Sequence, residues 1–394
     1  MITIVITKLR DTVTAALLED GRVREFQPEP RETSLVGNIY TGRVKHILRN
    51  IEAAFVEFAP AKTGYLSLRD NGLADLREGA ELAVQVEKDA VKTKEPVLTA
   101  NLSFSGRYTV VTAVRRQRAL SARITDNEER ERLREILGKY EHPEFGIIAR
   151  TEAAGVPEEM ILAEAESLTS EARSVLEKSR TRMPETLLYS AEPSYIRIIR
   201  GNLRNTERIT TDIPECRDRI LEFLRREAPE LEGRFVFYED ESYPLRSLYR
   251  LEKALEDALD RRVWLKSGGY LVIEPTEALT VIDVNTGKYS DRKRMDETVL
   301  AINLEAAEES AGQMRLRNLS GIILIDFINM RREEDREILM RTLRSELRKD
   351  PVKTVLVDIT GLGLVEITRK KVQKPLYEIF REPVKTSAFS EKSC

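Results

Sequence analysis

Residues 278–286 read ALTVIDVNT, and residues 321–330 read GIILIDFINM. Each is a short apolar run interrupted by an acidic residue near its end, and short apolar runs of this kind are typical of buried strands. The segment between them, residues 296–315, has apolar residues at helical spacing and predicts a long helix. Strands that alternate with helices of this length form βαβ units. The C-terminal third is therefore predicted to be an α/β domain with a largely parallel, buried sheet.

Polar residues follow these two strands at their carboxyl ends. In the first strand, the two-residue period of a strand places Asp283 and Asn285 on one face, and Asp326 has a similar position in the second strand. This edge of an α/β sheet commonly binds ligands, and a pair of carboxylates suits Mg²⁺ and phosphodiester chemistry. The spacing alone leaves a structural role equally open. In that alternative, each aspartate caps a following helix or pairs with an arginine such as Arg331.

Residues 37–111 form a string of short predicted strands separated by Gly, Asn and Pro. The strands are NIYTGRVKHIL, IEAAFVEFA, TGYLSL, ELAVQVEKDA and GRYTVVTAV. Short strands of even spacing predict a small closed barrel such as an OB-fold. Aromatic residues interleave with lysine and arginine in this region, which favours base stacking on nucleic acid, although about half of them are expected to fill the barrel interior instead. The aromatic residues are Tyr40, Phe55, Phe58, Tyr65 and Phe104.

The remaining segments predict smaller modules. The first 26 residues alternate in hydrophobicity and contain the turn signal Asp20-Gly21, so they predict a two-stranded hairpin that must pair with sheet elsewhere in the chain. Residues 116–190 predict a small αβ module, in which helices flank a strand FGIIART. Residues 191–258 mix predicted strands, SYIRIIR and GRFVFYE, with two helices and are a candidate partner for the hairpin.

Composition excludes several classes of protein. The 394 residues allow about two to four domains. No apolar run approaches the ~18 residues needed to cross a bilayer, and the N-terminus lacks the pattern of a secretory signal, so we expect a cytoplasmic protein. The two cysteines, Cys216 and Cys394, have no second thiol at metal-ligand spacing. The two histidines, His46 and His142, make a histidine-based triad improbable, so any hydrolysis should be metal-driven.

The net charge of −3 argues mildly against a nucleic-acid partner, but local charge is the relevant quantity. Clusters of basic residues do occur. One of them combines Arg43, Lys45, His46 and Arg49 inside the predicted barrel. Taken singly, such a cluster is as easily a solvated face balanced by glutamate.

Long collinear stretches resemble one known family. They are GNIYTGRVKHIL with AAFVEF and TGYLSL, then SGGYLVIEPTEALTVIDVNTGKY, then NLEAAEESAGQMRLRNLSGIILIDFINM. Together the matches extend over nearly the whole chain, and the chain resembles the catalytic half of the ribonuclease E and ribonuclease G family of bacterial endoribonucleases. The resemblance implies an α/β multidomain fold with five segments. These are residues 1–34, a hairpin belonging to an RNase H-like domain; 35–115, an S1-type OB-fold RNA-binding domain; 116–190, a 5′-sensor domain; 191–258, the rest of the RNase H-like domain; and 259–394, a DNase I-like catalytic domain.

The resemblance also implies a function and a catalytic site. The family's magnesium-binding aspartates correspond to Asp283 and Asp326, and its associated asparagine corresponds to Asn285. The implied activity is Mg²⁺-dependent cleavage of single-stranded RNA in RNA decay or in rRNA and tRNA processing, leaving 5′-phosphate and 3′-hydroxyl ends. Lys353, where the family often has an arginine, and Lys288 are further candidates.

Two RNA-contacting regions are implied outside the catalytic segment. In the barrel, the RNA-contacting residues correspond to Phe55, Tyr65 and Lys94. In the 5′-sensor, Arg150-Thr151 matches the family's Arg-Thr pair. A guanidinium fork beside a hydroxyl suits a terminal phosphate. The glycine and valine positions of the sensor match Gly106 and Val110. One further sensor arginine aligns with Ala122, beside Arg123, which weakens the prediction of strong 5′-monophosphate stimulation.

The C-terminus departs from the family pattern. Many members carry a Cys-Pro-x-Cys zinc motif after the stretch that matches VEITRKKVQKPLYEIF, whereas this chain continues REPVKTSAFSEKSC. One thiol per subunit is too few for a shared tetrahedral site, so zinc is not expected and a homodimer or higher homo-oligomer would be held by packing. The alternative function is a non-catalytic regulator that binds single-stranded RNA. A third alternative, an enzyme acting on a small phosphorylated metabolite, leaves the barrel without a role.

Overall fold

The computed structural model describes residues 1–29, 35–90, 94–114, 116–287 and 295–380. The described residues form a mixed α/β fold with two compact units. One unit takes its residues from Met1–Pro30, Thr206–Arg219 and Gly233–Cys394, and the other takes them from Arg31–Asn205 and Ile220–Glu232. Each unit is considered by itself.

The first sheet of the first unit contains the N-terminal strands. Its order is β15-β14-β1-β2-β3, with β1 at Ile2–Leu9, β2 at Thr12–Glu19, β3 at Arg22–Pro28, β14 at Thr206–Thr211 and β15 at Phe235–Phe237. The predicted single hairpin is wrong, because the segment makes three strands. Arg10 and Asp11 adopt positive φ angles of 46° and 62°, as a two-residue turn of a twisted hairpin requires. β1 then pairs in parallel with β14.

The second sheet of this unit carries the two strands from which the sequence analysis began. Its order is β16-β17-β18-β19-β21-β20, with β16 at Arg262–Trp264, β17 at Tyr270–Pro275, β18 at Leu279–Asn285, β19 at Gly321–Asp326, β20 at Thr354–Ile359 and β21 at Val365–Arg369. The predicted largely parallel sheet is wrong. Among the pairings of these described strands, β18 with β19 is parallel and the others are antiparallel. Short turns join β17 to β18 and β20 to β21, and a short connection permits only an antiparallel neighbour.

Two helices cover one face of the second sheet. They are α8 at Met295–Leu316 and α9 at Glu333–Leu347. Their apolar residues form one core with the strand residues on that face, among them Leu271, Ile282 and Ile325. The residues on the opposite face are partly or fully exposed, Asp283 and Asp326 among them. The sheet is therefore buried on one side, not on both as predicted.

The barrel lies in the second unit and is closed. Its strands are β4 at Ile39–Leu48, β5 at Ala53–Ala59, β6 at Lys62–Ser67, β7 at Glu81–Lys88 and β8 at Val97–Thr99. They follow the order β4-β5-β6-β8-β7, and β4 pairs with β7 to close the ring, as in an OB-fold. Strand β13, at Leu187–Tyr189, adds to β4 from outside this ring. Gly64 permits the close packing inside, since a Cβ there would lie 2.6 Å from Leu98.

The prediction that GRYTVVTAV supplies the fifth barrel strand is wrong. Its strand belongs to another sheet of the second unit, of order β11-β12-β10-β9, with β9 at Ser103–Ser105, β10 at Thr109–Ala113, β11 at Arg118–Leu120 and β12 at Phe145–Ala149. The fifth barrel strand, Val97–Thr99, is only three residues long. Such a run is too short to show a period in sequence. Helices α2, at Asn127–Gly138, and α3, at Glu158–Thr181, flank the four-stranded sheet.

Residues 194–200, SYIRIIR, form a helix and not the predicted strand. Helix α4 spans Ser194–Arg200 and begins after Pro193, whose φ of −55° suits a helix start. Tyr195, Ile196, Ile198 and Ile199 are all buried, which is a helical spacing. Isoleucine is β-branched and favours strands, so this short isoleucine-rich run was predicted as a strand despite its helical spacing. The strand of this region is instead TERITT, which is β14.

The other helices lie between or after these strands. They are α1 at Leu68–Asn71, α5 at Pro214–Glu227, α6 at Leu245–Leu248, α7 at Leu251–Leu259 and α10 at Leu376–Ile379. In the part of the chain that the structure describes, none of the helices combines the length and apolarity needed to span a bilayer.

Candidate functional site

The two aspartates of the catalytic segment lie on neighbouring strands at paired positions. Strands β18 and β19 run in parallel, and their register aligns Asp283 with Asp326. Adjacent strands are about 4.8 Å apart, and residues at paired positions point to the same face. Both side chains are exposed on the face that α8 and α9 leave open. The register therefore brings two carboxylates together at the carboxyl ends of two strands.

Asn285 continues this polar face along β18. Its Nδ2 donates a hydrogen bond to Oδ2 of Asp283 over 2.8 Å. This bond fixes the orientation of the carboxylate and turns the amide oxygen of Asn285 away from it. The Asp283 and Asn285 side chains therefore lie together on one face of β18.

The structural alternatives for Asp326 do not occur among the described residues, and the residues just before α8, the helix that follows Asp283, lie outside them. Helix α9 begins after Arg332 without a side-chain cap, and Arg331 forms no ion pair with either aspartate in these ranges. Both side chains are exposed and remain hydrated, so neither needs a cation to offset burial. Their pairing, and not their burial, is what favours a cation.

The donor set fits a magnesium ion. Within the described ranges, no three His, Cys, Asp or Glu side chains converge as a metal-binding group. Mg²⁺ is commonly held by one or two carboxylates and keeps several waters, which substrate phosphate oxygens can replace. Asp283 and Asp326, with the Asn285 amide beside them, meet this requirement on an open, solvated face.

The structure does not bring Lys353 to the carboxylates. The next residue, Thr354, pairs with Arg369 of β21, and Arg369 pairs with Gly321 of β19. Gly321 lies at the opposite end of β19 from Asp326, roughly 17 Å away at the rise of an extended strand. Lys288, the other lysine candidate, lies outside the described residues.

Residues that sequence reasoning did not single out share the open face with the aspartates. The register pairs Arg262 with Val272 and Val272 with Asp283. It also pairs Trp264 with Tyr270 and Tyr270 with Asn285. The alternation of residues in RVW and in YLVIEP indicates which residues share one face of each strand. Which of the two faces is the open one depends on the neighbouring strand.

Of the residues predicted to sense a 5′-phosphate, Arg150 contacts the loop of the second unit that carries Gly106. The Arg150 guanidinium donates to the carbonyl oxygen of Gly106, and Arg150 N donates to Tyr108 O over 2.7 Å. Val110 lies on β10, paired with Ile148 of β12. Thr151 Oγ1 is 3.0 Å from Ser121 Oγ.

Burial shapes the electrostatics of this loop. Burial, and then the nearby charge of Arg200, lower the pKa of the Arg150 guanidinium from its usual value, although arginine remains protonated in proteins. Burial raises the pKa of the Glu152 carboxyl, against the opposing effect of Arg204. A cation that is partly desolvated in this way gains more from an anionic ligand than an exposed one.

Glu164 of α3 holds the same loop and was not predicted from sequence. Its carboxylate accepts hydrogen bonds from the backbone N–H groups of Arg107, Tyr108 and Thr109 at 2.6, 2.8 and 2.7 Å. Three consecutive N–H groups form a concave anion site. Glu164 occupies this site, so it fixes the shape of the loop that carries Gly106.

The barrel separates its aromatic residues into two groups. Tyr40 and Phe58 are buried in the barrel core, whereas Phe104 is buried in the core of the neighbouring four-stranded sheet. Phe55 and Tyr65 are cross-strand neighbours on β5 and β6, partly exposed, with ring centroids 6.3 Å apart and edge-to-face. Lys94, just before β8, is exposed. The predicted division between interior and exposed aromatic residues thus leaves Phe55 and Tyr65 accessible.

Ion pairs neutralise part of the basic cluster in the barrel. Arg43 pairs with Glu81 at 2.7 Å, and Lys45 pairs with Glu57 at 2.8 Å. These two cations are therefore partly committed to intramolecular partners, which matches the solvated-face alternative for this cluster.

Comparison with known proteins identifies the family. A family model described as Ribonuclease E/G family matches residues 103–372. Ribonuclease G of Haemophilus influenzae is 36% identical over 385 residues, which covers 92% of this chain and 78% of that protein. Ribonuclease G of Escherichia coli K12 is 34% identical over 386 residues, with the same coverage. Ribonuclease E of Synechocystis sp. is 38% identical over 364 residues, covering 88% of this chain and 54% of that protein.

A chain with a closed OB-like barrel and a sheet that displays paired carboxylates belongs to the class of mixed α/β proteins that contain an OB-like barrel. Within that class, this chain belongs to the ribonuclease E/G family.

Proposed function

We propose that this protein is an endoribonuclease that hydrolyses single-stranded RNA with a magnesium ion held by Asp283 and Asp326. The observation that carries the proposal is the register of β18 and β19, which aligns the two aspartates on an exposed sheet face. The relatives named ribonuclease G and ribonuclease E support the choice of RNA as substrate.

The residues of the catalytic face have separate roles in this proposal. Asp283 and Asp326 would hold the ion, and Asn285 orients the Asp283 carboxylate through its 2.8 Å hydrogen bond. When bound, Mg²⁺ would supply Lewis-acid activation of water and of the scissile phosphate. The open face leaves room for a phosphodiester beside the carboxylates. The products expected are a 5′-phosphate and a 3′-hydroxyl.

The second unit would bind the substrate. Phe55 and Tyr65 offer exposed ring surface on which bases can stack, and Lys94 offers a charge for a phosphate. Gly106, Val110, Arg150 and Thr151 would recognise a 5′-monophosphate, with the desolvated Arg150 as the main cation. We infer that cleavage is faster on RNA with a 5′-monophosphate for this reason.

Further parts of the proposal follow from family membership. We assign the five segments bounded at residues 34/35, 115/116, 190/191 and 258/259 to the RNase H-like, S1-type, 5′-sensor, RNase H-like and DNase I-like parts of the family architecture. We also propose a homodimer or higher homo-oligomer without zinc, and a role in RNA decay or in rRNA and tRNA processing.

Two single variants test the catalytic assignment. Asp283→Asn and Asp326→Asn keep side-chain volume but remove one charge each, so cleavage of a 5′-labelled, AU-rich oligonucleotide should fall by at least about 100-fold, the scale expected for losing a main transition-state interaction. RNA binding, measured by anisotropy, should stay within about threefold because the barrel is unchanged.

Asp20→Asn is the matched control. Asp20 is exposed in the first sheet's turn at a φ of 50°, a conformation that asparagine tolerates, so cleavage should be unchanged. Wild-type cleavage by either active-site variant would refute the assignment. A wild-type protein that shifts the labelled RNA but never shortens it with Mg²⁺ present would favour the non-catalytic regulator.

A further inference from the structure

A cluster of exposed aromatic and cationic side chains lies on the same sheet face as Asp283. Trp264, the single tryptophan of the sequence, is 65% exposed. Its ring centroid is 5.3 Å from that of Tyr270, at an interplanar angle of 57°. The Arg262 guanidinium lies 5.6 Å from the Trp264 centroid and 4.6 Å from the Tyr270 centroid. We call Arg262, Trp264 and Tyr270 the aromatic platform.

The strand register fixes where the aromatic platform lies relative to the carboxylates. Trp264, Tyr270 and Asn285 form one cross-strand row, and Arg262, Val272 and Asp283 form the next. Paired residues point to the same face of a sheet. The aromatic platform is therefore two strands, or roughly 10 Å, from Asp283 on that face.

A cleft of about 560 Å³ adjoins the aromatic platform and is lined by Asp260, Arg261, Arg262, Trp264 and Val272. This volume lies in the range of small-ligand sites, roughly 300 to 1,000 Å³. Val272 in this cleft is the direct cross-strand neighbour of Asp283. The cleft thus reaches the strand next to the one that carries Asp283.

The cleft holds an acidic and two basic side chains, and the Asp260 carboxylate accepts a hydrogen bond from the Arg262 backbone N–H over 3.1 Å. Arg261 is committed to an ion pair with Glu274, whereas Arg262 forms no ion pair with any carboxylate that the structure describes. Its guanidinium instead lies over two aromatic rings. Arginine stacked in this way keeps its outward N–H groups for an anion.

A purely structural role accounts for less of the arrangement. A cross-strand aromatic pair does stabilise a hairpin such as β16–β17. Such a role requires contact between Trp264 and Tyr270. It does not require that most of the Trp264 ring stay exposed to water beside the Arg262 guanidinium. Large aromatic surfaces exposed next to a cation are the pattern of single-strand nucleic-acid sites.

We propose that the aromatic platform is a base-binding subsite of the catalytic face, in which Trp264 stacks on a nucleobase next to the scissile phosphate and Arg262 contacts the adjoining phosphate. This proposal rests on the proposed function, since it names how that site holds its single-stranded RNA. Trp264 and Arg262 act here as substrate-positioning residues.

The single tryptophan makes the test specific. The Asp283→Asn variant is titrated, in EDTA, with a single-stranded RNA oligonucleotide that carries a fluorescent label outside the tryptophan emission range. Anisotropy of the label reports binding, and quenching of tryptophan emission reports stacking on Trp264. The expected result is saturable quenching with the same midpoint as the anisotropy change. The same oligonucleotide annealed into a duplex should quench much less, because its bases are already paired.

A scan with abasic nucleotides locates the stacked base. Oligonucleotides that each lack one base are titrated in the same way, and quenching should be lost for one or two adjacent positions beside the cleavage position. Uniform quenching across the scan, binding without quenching, or no binding at all would each overturn the proposal.

Variants provide the kinetic counterpart. Trp264→Ala should raise KM for single-stranded RNA by roughly 10-fold, the scale of one lost stacking contact, with a much smaller change in kcat. Trp264→Phe should recover most of the loss, because it retains a ring. Arg262→Ala should raise KM and weaken its salt dependence, whereas Arg341→Ala, at an exposed position of α9 on the other side of the sheet, is the matched control and should change little.

Other outcomes separate this proposal from its competitors. A Trp264→Ala variant that is less stable to heat but unchanged in KM would make the cluster a hairpin support only. A change in oligomeric state by sedimentation, with RNA binding intact, would make it an interface between copies of the chain. Unaltered cleavage by Asp283→Asn would instead overturn the proposed catalytic site, and the quenching experiment, which requires no cleavage, would still stand.

Discussion

Single side chains decide the chemistry that each surface can perform. Asp283 and Asp326 are surface carboxylates, and their alignment on neighbouring strands is what suits them to share one cation. Neither is desolvated, so each costs little in stability and stays available to a hydrated cation. This explains how two acids can interrupt apolar strands in a stable sheet.

Arg150 is the residue on which 5′-end recognition depends in the proposed function. Arg150→Ala should slow cleavage of 5′-monophosphorylated RNA roughly 10-fold or more, the scale of a lost charge-assisted pair, and should slow cleavage of 5′-hydroxyl RNA much less. Arg150→Lys should recover only part of the difference, since lysine lacks the planar fork. Parallel kinetics on the two substrates measure the effect.

Arg173→Ala is the matched control for Arg150. Arg173 is exposed on α3 in the same unit, so its loss should leave the ratio of the two rates unchanged. Equal slowing of both substrates by Arg150→Ala would remove the sensing role and leave Arg150 as a support for the Gly106 loop.

At the scale of elements, one strand can carry both core and binding residues. In β5, Phe58 is 0% exposed inside the barrel, while Phe55 faces outward beside Tyr65 of β6. The two residues are three positions apart, so the two-residue alternation of a strand places them on opposite faces. The strand therefore serves stability and recognition through different residues of one type.

This contrast supplies a matched pair of variants. Phe55→Ala should weaken single-stranded RNA binding by about 1 to 3 kcal/mol while changing the melting temperature little. Phe58→Ala should instead lower the free energy of unfolding by about 3 to 5 kcal/mol through the cavity that it leaves. Anisotropy and chemical denaturation measure the two effects. A large loss of stability in Phe55→Ala with unaltered RNA affinity would contradict the recognition role.

At the scale of the whole molecule, the ion and the fold should be coupled by mass action. A ligand that binds only the native state stabilises it by RT ln(1 + [L]/Kd). Mg²⁺ at about 100 times its Kd should therefore add about 2.7 kcal/mol to the unit that holds the carboxylate pair. The measurement is thermal unfolding of the full chain with Mg²⁺ and with EDTA.

The same measurement on variants assigns the stabilisation to its residues. In Asp283→Asn and in Asp326→Asn the Mg²⁺-dependent shift should shrink strongly, and in Asp20→Asn it should persist. A shift of wild-type size in both active-site variants would place the bound ion elsewhere. This readout needs no RNA, so it tests the ion site apart from cleavage.

The sequence by itself determined the local elements with strong periods and the family. Residues 296–315 were predicted as a helix and lie within α8, and ALTVIDVNT and GIILID were predicted as strands and form β18 and β19. Long motifs pointed to the ribonuclease E/G family, which the comparisons confirm. Periodic elements and family motifs depend on residues that are close together in the sequence, so the sequence alone is enough to predict them.

Only the tertiary structure decided which residues meet. The alignment of Asp283 with Asp326, the row from Trp264 through Tyr270 to Asn285, and the short fifth strand of the barrel all depend on pairing between distant segments. Strand register and facing are set by nonlocal hydrogen bonds and by the face that packs on the core. The segment SYIRIIR also forms a helix because of tertiary packing. Burial of its four apolar residues outweighs the strand preference of isoleucine.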